Sequence, residues 1–237
     1  IAVGIMGALS AYSKGAPIRI IGAETTGAKD IYWYVKADSP VKTLKDFDGK
    51  SVAYSTNGSS THGVVNAFVR ENNIKPRPTA TGGPAPTLTQ VMSGQIDVGW
   101  AAPPFGLEQI DKKEIRVIAT GDDTQAFKNQ TVRLLTANTA VLQNKKALVE
   151  RYMLAYRETI EAMYGSDEAI KAYAAFVGIP EAIARRTRDE FFPKAALDPD
   201  KVIGLDTIVQ DAVALKYTAQ PLTKEQLAEL IQIPPRK

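Results

Sequence analysis

Between residues 54 and 64 the chain reads Tyr54-Ser55-Thr56-Asn57-Gly58-Ser59-Ser60-Thr61-His62-Gly63-Val64, which gathers hydroxyl groups around its single histidine. A strand carrying β-branched and aromatic residues ends at Ser55, and Gly58 permits a tight turn. Ser59, Ser60 and Thr61 then open an apolar helix through Val64, Val65, Phe68 and Val69. Hydroxyls at a helix start cap its unpaired N–H groups, and the same N–H groups attract anions through the helix dipole. The segment therefore reads either as a capped helix with no ligand or as a cradle for an oxygen of a small anion or carbonyl. His62 falls in the first helical turn, where the dipole disfavours protonation. It is expected neutral near pH 7, as a bystander or as a hydrogen-bonding contact to a ligand.

A further signal runs from Gly82-Gly83-Pro84 through a helix that stops at Gly94, then along a strand from Asp97 into Trp100-Ala101-Ala102-Pro103-Pro104. Ligands of open α/β sheets sit at the carboxyl ends of strands, which puts Trp100, Ala101 and Pro103 among the candidate contacts. Trp100 reads equally as a core residue or as an apolar wall for a ligand. Neither dinucleotide nor P-loop glycine fingerprint occurs anywhere. Gly121-Asp122-Asp123 offers two carboxylates, but adjacent side chains diverge, so a solvated turn is expected there and no metal site.

These segments must be positioned by elements that the periodicity predicts. Strands are expected at Ile1–Ile5, Ile18–Ala23, Ile31–Lys36, Ser51–Ser55, Pro78–Thr81, Asp97–Ala101, Ile115–Thr120 and Thr131–Ala137. Helices are expected at Met6–Lys14, Ser60–Asn72, Ala85–Ser93 and Pro104–Lys112. The alternation argues for an α/β fold with a largely parallel sheet. Beyond Leu142 the pattern turns helical. Leu148, Tyr152, Ala155, Tyr156, Thr159, Ala162 and Met163 mark one apolar face of a long helix. Helices follow at Glu168–Val177, Pro180–Phe191, Val202–Lys216 and Lys224–Leu230.

Composition removes much chemistry. Among 237 residues there is no cysteine and one histidine, which excludes disulfides, thiolate metal sites, cysteine nucleophiles and multi-histidine relays. No catalytic nucleophile–base pair, metal site or cofactor is expected. The 29 Lys+Arg against 26 Asp+Glu give a formal charge of +3 without a basic cluster, so no nucleic-acid partner is expected. No apolar run is long enough to span a membrane. The chain opens at Ile1 in what reads as mid-strand, with no charged segment preceding an apolar one, so no signal peptide is expected within it.

Taken together, the stretch Ser39-Pro40-Val41-Lys42-Thr43-Leu44-Lys45-Asp46-Phe47-Asp48-Gly49-Lys50-Ser51-Val52-Ala53, the Gly58–His62 helix start and Ser93-Gly94-Gln95-Ile96-Asp97 before the Trp/Pro loop resemble the substrate-binding proteins of ABC importers. The type is the nitrate/sulfonate/taurine one, related to binders of thiamine-pyrimidine precursors. The resemblance covers about residues 1 to 120. It implies a type II periplasmic-binding-protein fold in which two lobes are joined by two crossing strands and followed by a helical C-terminal tail. Lobe I would comprise residues 1–36 and 122–237, lobe II residues 37–121, and the N-terminal part of lobe I would be absent.

The function so implied is capture of a small anionic or polar organic molecule (sulfonate, carboxylate or nitrate-like) between the lobes and delivery to a membrane permease. Candidate contacts are Gly58, Ser59, Ser60, Thr61, His62, Trp100, Ala101 and Pro103, with Gly4, Ile5 and Thr25 from lobe I. Backbone N–H groups of Ser60 and Thr61 would hold the anion, so bulky residues at both are expected to abolish binding with little loss of fold. The protein is expected as a periplasmic monomer, or as a lipoprotein anchored outside the cell, and not as an enzyme. The ligand-sensing domain of a transcriptional regulator is the first alternative, and a pyrimidine-precursor synthase the second.

Overall fold

A computed structural model describes residues 1–236. In chain order the strands are β1 (Ala2–Gly4), β2 (Ile18–Thr26), β3 (Tyr32–Lys36), β4 (Ser51–Tyr54), β5 (Arg77–Ala80), β6 (Gly99–Ala101), β7 (Ile115–Thr120) and β8 (Thr131–Asn138). The helices are α1 (Ile5–Ser13), α2 (Ser60–Asn72), α3 (Pro84–Met92), α4 (Leu107–Asp111), α5 (Gln125–Lys128), α6 (Thr139–Asn144), α7 (Lys146–Gly165), α8 (Asp167–Val177), α9 (Glu181–Arg186), α10 (Leu205–Ala214) and α11 (Lys224–Leu230). Every strand expected from the sequence is present, and the expected helices differ mainly at their ends. The segment 180–191 divides into α9 and a π turn over Thr187–Phe191.

The chain forms two compact units, Ile1–Gly27 with Asn129–Lys237 and Ala28–Lys128. The boundaries expected near residues 36 and 121 lie inside the second unit, because β3 pairs there with both β6 and β7. The first unit holds the sheet β1-β8-β2, and the second holds β6-β3-β7 and the pair β4-β5. Both three-stranded sheets are antiparallel, which corrects the expectation of a largely parallel sheet. The reason is the path of the chain. It leaves the first unit through β2 and returns through β8, and it enters the second through β3 and leaves through β7. An outgoing strand paired with a returning one runs antiparallel to it. Parallel pairing survives between β4 and β5 and in the bridges of Val52 to Val98 and of Ile20 to Ile231.

In the second unit Tyr32, Trp33, Tyr34 and Val35 are all buried. The Trp33 indole donates to the Ala53 carbonyl (2.9 Å) and meets Phe68 of α2 edge-on at 4.9 Å. Asp97 accepts from the Ser51 amide and hydroxyl (2.9 and 2.8 Å), while its own amide donates back to the Ser51 hydroxyl. This exchange fixes residues 97–98 beside β4, so that β4 and β6 end as neighbours. Gly99 has no room for a side chain. A Cβ there would lie 2.6 Å from Tyr34 Cζ and 2.7 Å from Val91 Cγ2. Gly99→Ala is accordingly expected to lower stability by about 1–3 kcal/mol, seen as a lower urea midpoint with unchanged slope.

In the first unit Ile21, Leu135, Val149 and Met153 form a cluster that seats α7 on its sheet. The buried face of α7 is Val149, Met153 and Arg157, one residue round from the expected stripe; Leu148 and Tyr152 are about half exposed. Arg157 decides the rotation. Read from the sequence it belongs in solvent, yet its guanidinium donates to Asp200 (2.6 and 2.9 Å) and to the Pro234 carbonyl (2.5 Å).

Candidate functional site

Gly58 takes φ +84, the left-handed turn expected of it, and sends the chain from β4 into α2. Ser59 caps α2 by accepting from the His62 amide. Thr61 is 4% exposed, and its hydroxyl oxygen lies 2.9 Å from the Ser55 amide, the Ser55 hydroxyl and the Ser59 hydroxyl. Thr61 thus ties the loop to the helix, and bulky residues at both 60 and 61 would break that knot. The expectation of little loss of fold in such a variant is corrected on this ground. With the hydroxyls drawn inward, Ser60 and Thr61 stand at the first two helical positions, where an N–H has no acceptor within the helix. Two backbone donors and the positive end of the dipole then mark the end of β4.

His62 stacks on Tyr54 with ring centroids 4.5 Å apart, and Tyr54 donates to Asn57 (2.7 Å). The Gly58 amide donates to His62 Nδ1 (3.2 Å), which places the ring proton of the neutral form on Nε2. Burial lowers the His62 pKa. The unfolded chain therefore takes up this proton first as pH falls. Stability tied to His62 is full above its ordinary value of 6.5 and is lost as pH drops from there through the depressed folded value. NMR titration of the single imidazole is expected to give a midpoint below 6.5 in the folded protein and near 6.5 in urea.

Trp100 and Ala101 lie in β6 and Pro103 just beyond it, and all three are buried. The Trp100 indole N–H has no hydrogen-bond partner among the described residues. In the first unit Gly4 caps α1, Ile5 begins it with 1% exposure, and Thr25 is buried in β2. Gly4 and Thr25 both pair in register with Arg133 of β8. Sequence reasoning missed this cation, since only the strand register brings it beside two residues so distant in the chain. Gly58–His62, Trp100, Ala101 and Pro103 thus belong to one unit and Gly4, Ile5 and Thr25 to the other.

The carboxylates of Gly121-Asp122-Asp123 are engaged in holding the turn. Asp122 accepts from the Ala28 amide (2.7 Å), and Asp123 accepts from the Thr120 amide (2.7 Å) and hydroxyl. Among the described residues no group of three or more His, Cys, Asp or Glu is placed to hold a metal ion, and no helix is long and apolar enough to cross a membrane.

Two α/β units that share one chain through two crossings, with a hydroxyl-rich helix start at the end of a strand, define a type II periplasmic-binding-protein fold. The alkanesulfonate-binding protein SsuA of Xanthomonas axonopodis pv. citri, solved with MOPS bound, superposes with a TM-score of 0.78 at 19% identity, covering 98% of this chain and 80% of that one. The periplasmic aliphatic sulphonate binding protein SsuA of Escherichia coli gives 0.77 at 20% identity, over 100% and 76%. The chain belongs to the family described as NMT1/THI5 like, whose family model matches residues 3–170. A protein of Escherichia coli (strain K12), provisionally named an aliphatic sulfonates-binding protein, is 25% identical over 178 residues, which are 73% of this chain and 54% of the relative. The chain thus spans about half the length of that curated relative. The fold also serves an enzyme, the desulfurization enzyme DSZB, at a TM-score of 0.64 and 13% identity.

Proposed function

We propose that the protein is the solute-binding component of an ABC importer. It captures a small anionic or polar organic molecule, with sulfonates ahead of carboxylates and nitrate, and passes it to a membrane permease without bond chemistry of its own. The observation that carries this reading is the start of α2, where the hydroxyls of Ser55, Ser59 and Thr61 satisfy one another and Ser60 and Thr61 take the first two helical positions, whose amides have no acceptor within the helix. Gly58, Ser59 and His62 shape this cradle, and Trp100, Ala101 and Pro103 are the neighbouring contacts. In the first unit Gly4, Ile5 and Thr25 are the candidate contacts, and Arg133 in the same strand register adds a positive charge suited to an anion. The binding names of the SsuA proteins and the family membership of this chain support the sulfonate preference. Work as a monomer outside the cytoplasm follows from the same reading.

Thermal unfolding against ethanesulfonate, taurine, acetate, nitrate, a pyrimidine and a neutral sugar tests it. A ligand at a hundred times its Kd adds about 2.7 kcal/mol, or roughly 5–10 °C for a chain of this size. A shift confined to the sulfonates is expected. A shift with the sugar alone, or with none of the anions, would contradict the reading.

A further inference from the structure

Asn57 is the one asparagine in the chain that a glycine follows. A backbone nitrogen attacks the side-chain amide of a preceding asparagine most readily when it belongs to glycine, since no Cβ shields the approach. Asn57 is exposed, and Gly58 holds φ +84 in a turn that the Ser59 amide closes onto the Thr56 carbonyl (3.2 Å).

Two side chains surround this pair in the roles that the attack needs. The Gly58 amide donates to His62 Nδ1 (3.2 Å), so the proton of the nucleophilic nitrogen is already aimed at a base. Burial lowers the His62 pKa, which keeps that base neutral near pH 7. The Tyr54 hydroxyl donates to Asn57 Oδ1 (2.7 Å), where negative charge collects as the carbon turns tetrahedral. His62 stacks on Tyr54 with ring centroids 4.5 Å apart, which holds base and donor together.

We propose that Asn57 is a site of self-modification, converted through a succinimide to an aspartyl or isoaspartyl residue. The Gly58 nitrogen gives its proton to His62 Nδ1 and bonds to Asn57 Cγ, while the carbonyl electron pair moves onto Oδ1 under the Tyr54 hydroxyl. Collapse of the tetrahedral carbon breaks the Cγ–Nδ2 bond, and His62 returns the proton to the departing ammonia. Water then opens the imide ring at either carbonyl. The product carries a new carboxylate three residues before Ser60, which opposes an anion at the start of α2. That consequence rests on the solute-binding reading; the modification does not.

Peptide mapping by mass spectrometry of the full chain, incubated near pH 7 folded and in concentrated urea, tests the proposal. Loss of the residue 57 carboxamide should be at least about tenfold faster in the folded chain, the reverse of an Asn-Gly pair that a fold merely restrains. Tyr54→Phe, which removes the hydroxyl and keeps the ring, should slow it about tenfold, and His62→Phe about a hundredfold. A folded parent that reacts no faster than in urea overturns the proposal whether or not the variants fold, as does an unchanged rate in either folded variant. Calorimetry with ethanesulfonate reads the consequence separately: the aged chain should bind about tenfold more weakly than the fresh one. Equal affinity would overturn that consequence, and no binding by the fresh chain would count against the solute-binding reading.

Discussion

Arg157→Ala is expected to destabilise the protein by about 3–5 kcal/mol, the range for breaking a buried ion pair by removing one partner. The arginine is 8% exposed and joins Asp200 to the Pro234 carbonyl, so its loss uncouples α7 from the C-terminal segment. Arg236 also pairs with Asp200, which limits the damage without replacing the link to residue 234. The cost comes mainly from what is left behind, a partly buried carboxylate and an unpaired carbonyl. Arg157→Met with Asp200→Leu should therefore recover much of the loss, since a well-packed apolar pair can match a buried ionic one. Urea denaturation of the three chains measures this, and a single variant within 1 kcal/mol of the parent would show that Arg157 is not a structural anchor.

Acid tests the same cluster from the other side. Burial pushes the Asp200 pKa up, but hydrogen bonds from Arg236 and Arg157 outweigh it and hold the carboxyl below its ordinary value. A depressed carboxylate contributes stability that is full above the unfolded value of about 3.9 and is lost as pH falls through the folded one. The parent should lose stability more steeply below about pH 4 than the Met/Leu double variant.

Ser60→Pro is expected to weaken solute binding about ten- to hundredfold, the effect of deleting one hydrogen bond to a charged group. Proline is suited to the first position of a helix, where it removes an N–H that the helix does not use. Ser59, with φ −73 and ψ 167, already has the extended backbone that a following proline requires. Folding stability should therefore stay within about 0.5 kcal/mol of the parent. Titration calorimetry with ethanesulfonate separates the two effects, and equal affinity in both chains would remove the Ser60 amide from the site.

The strands were legible because short apolar runs between glycine and proline are strong local signals, and β3 with its neighbours follows them closely. The start of α2 was legible for the same reason, since Ser59 and Gly58 act through their nearest neighbours. Features set by distant partners were not. The inward face of α7 turns on a contact between Arg157 and residues 200 and 234, and no periodicity reports it. Arg133 is in the same position, because its place beside Gly4 and Thr25 exists only once β8 pairs with β1 and β2. Thr61 was legible only as one of the hydroxyl residues opening the helix, and its burial follows from three local contacts of its oxygen that the residue order alone does not report.

The central claim is that backbone N–H groups at the start of α2 hold the solute. Amide NMR of the ¹⁵N-labelled chain during titration with ethanesulfonate reads those groups directly. Large saturable shifts are predicted for the Ser60 and Thr61 amides, with a common midpoint and with His62 Nε2 following. Saturable binding that leaves both amides unmoved would contradict the account.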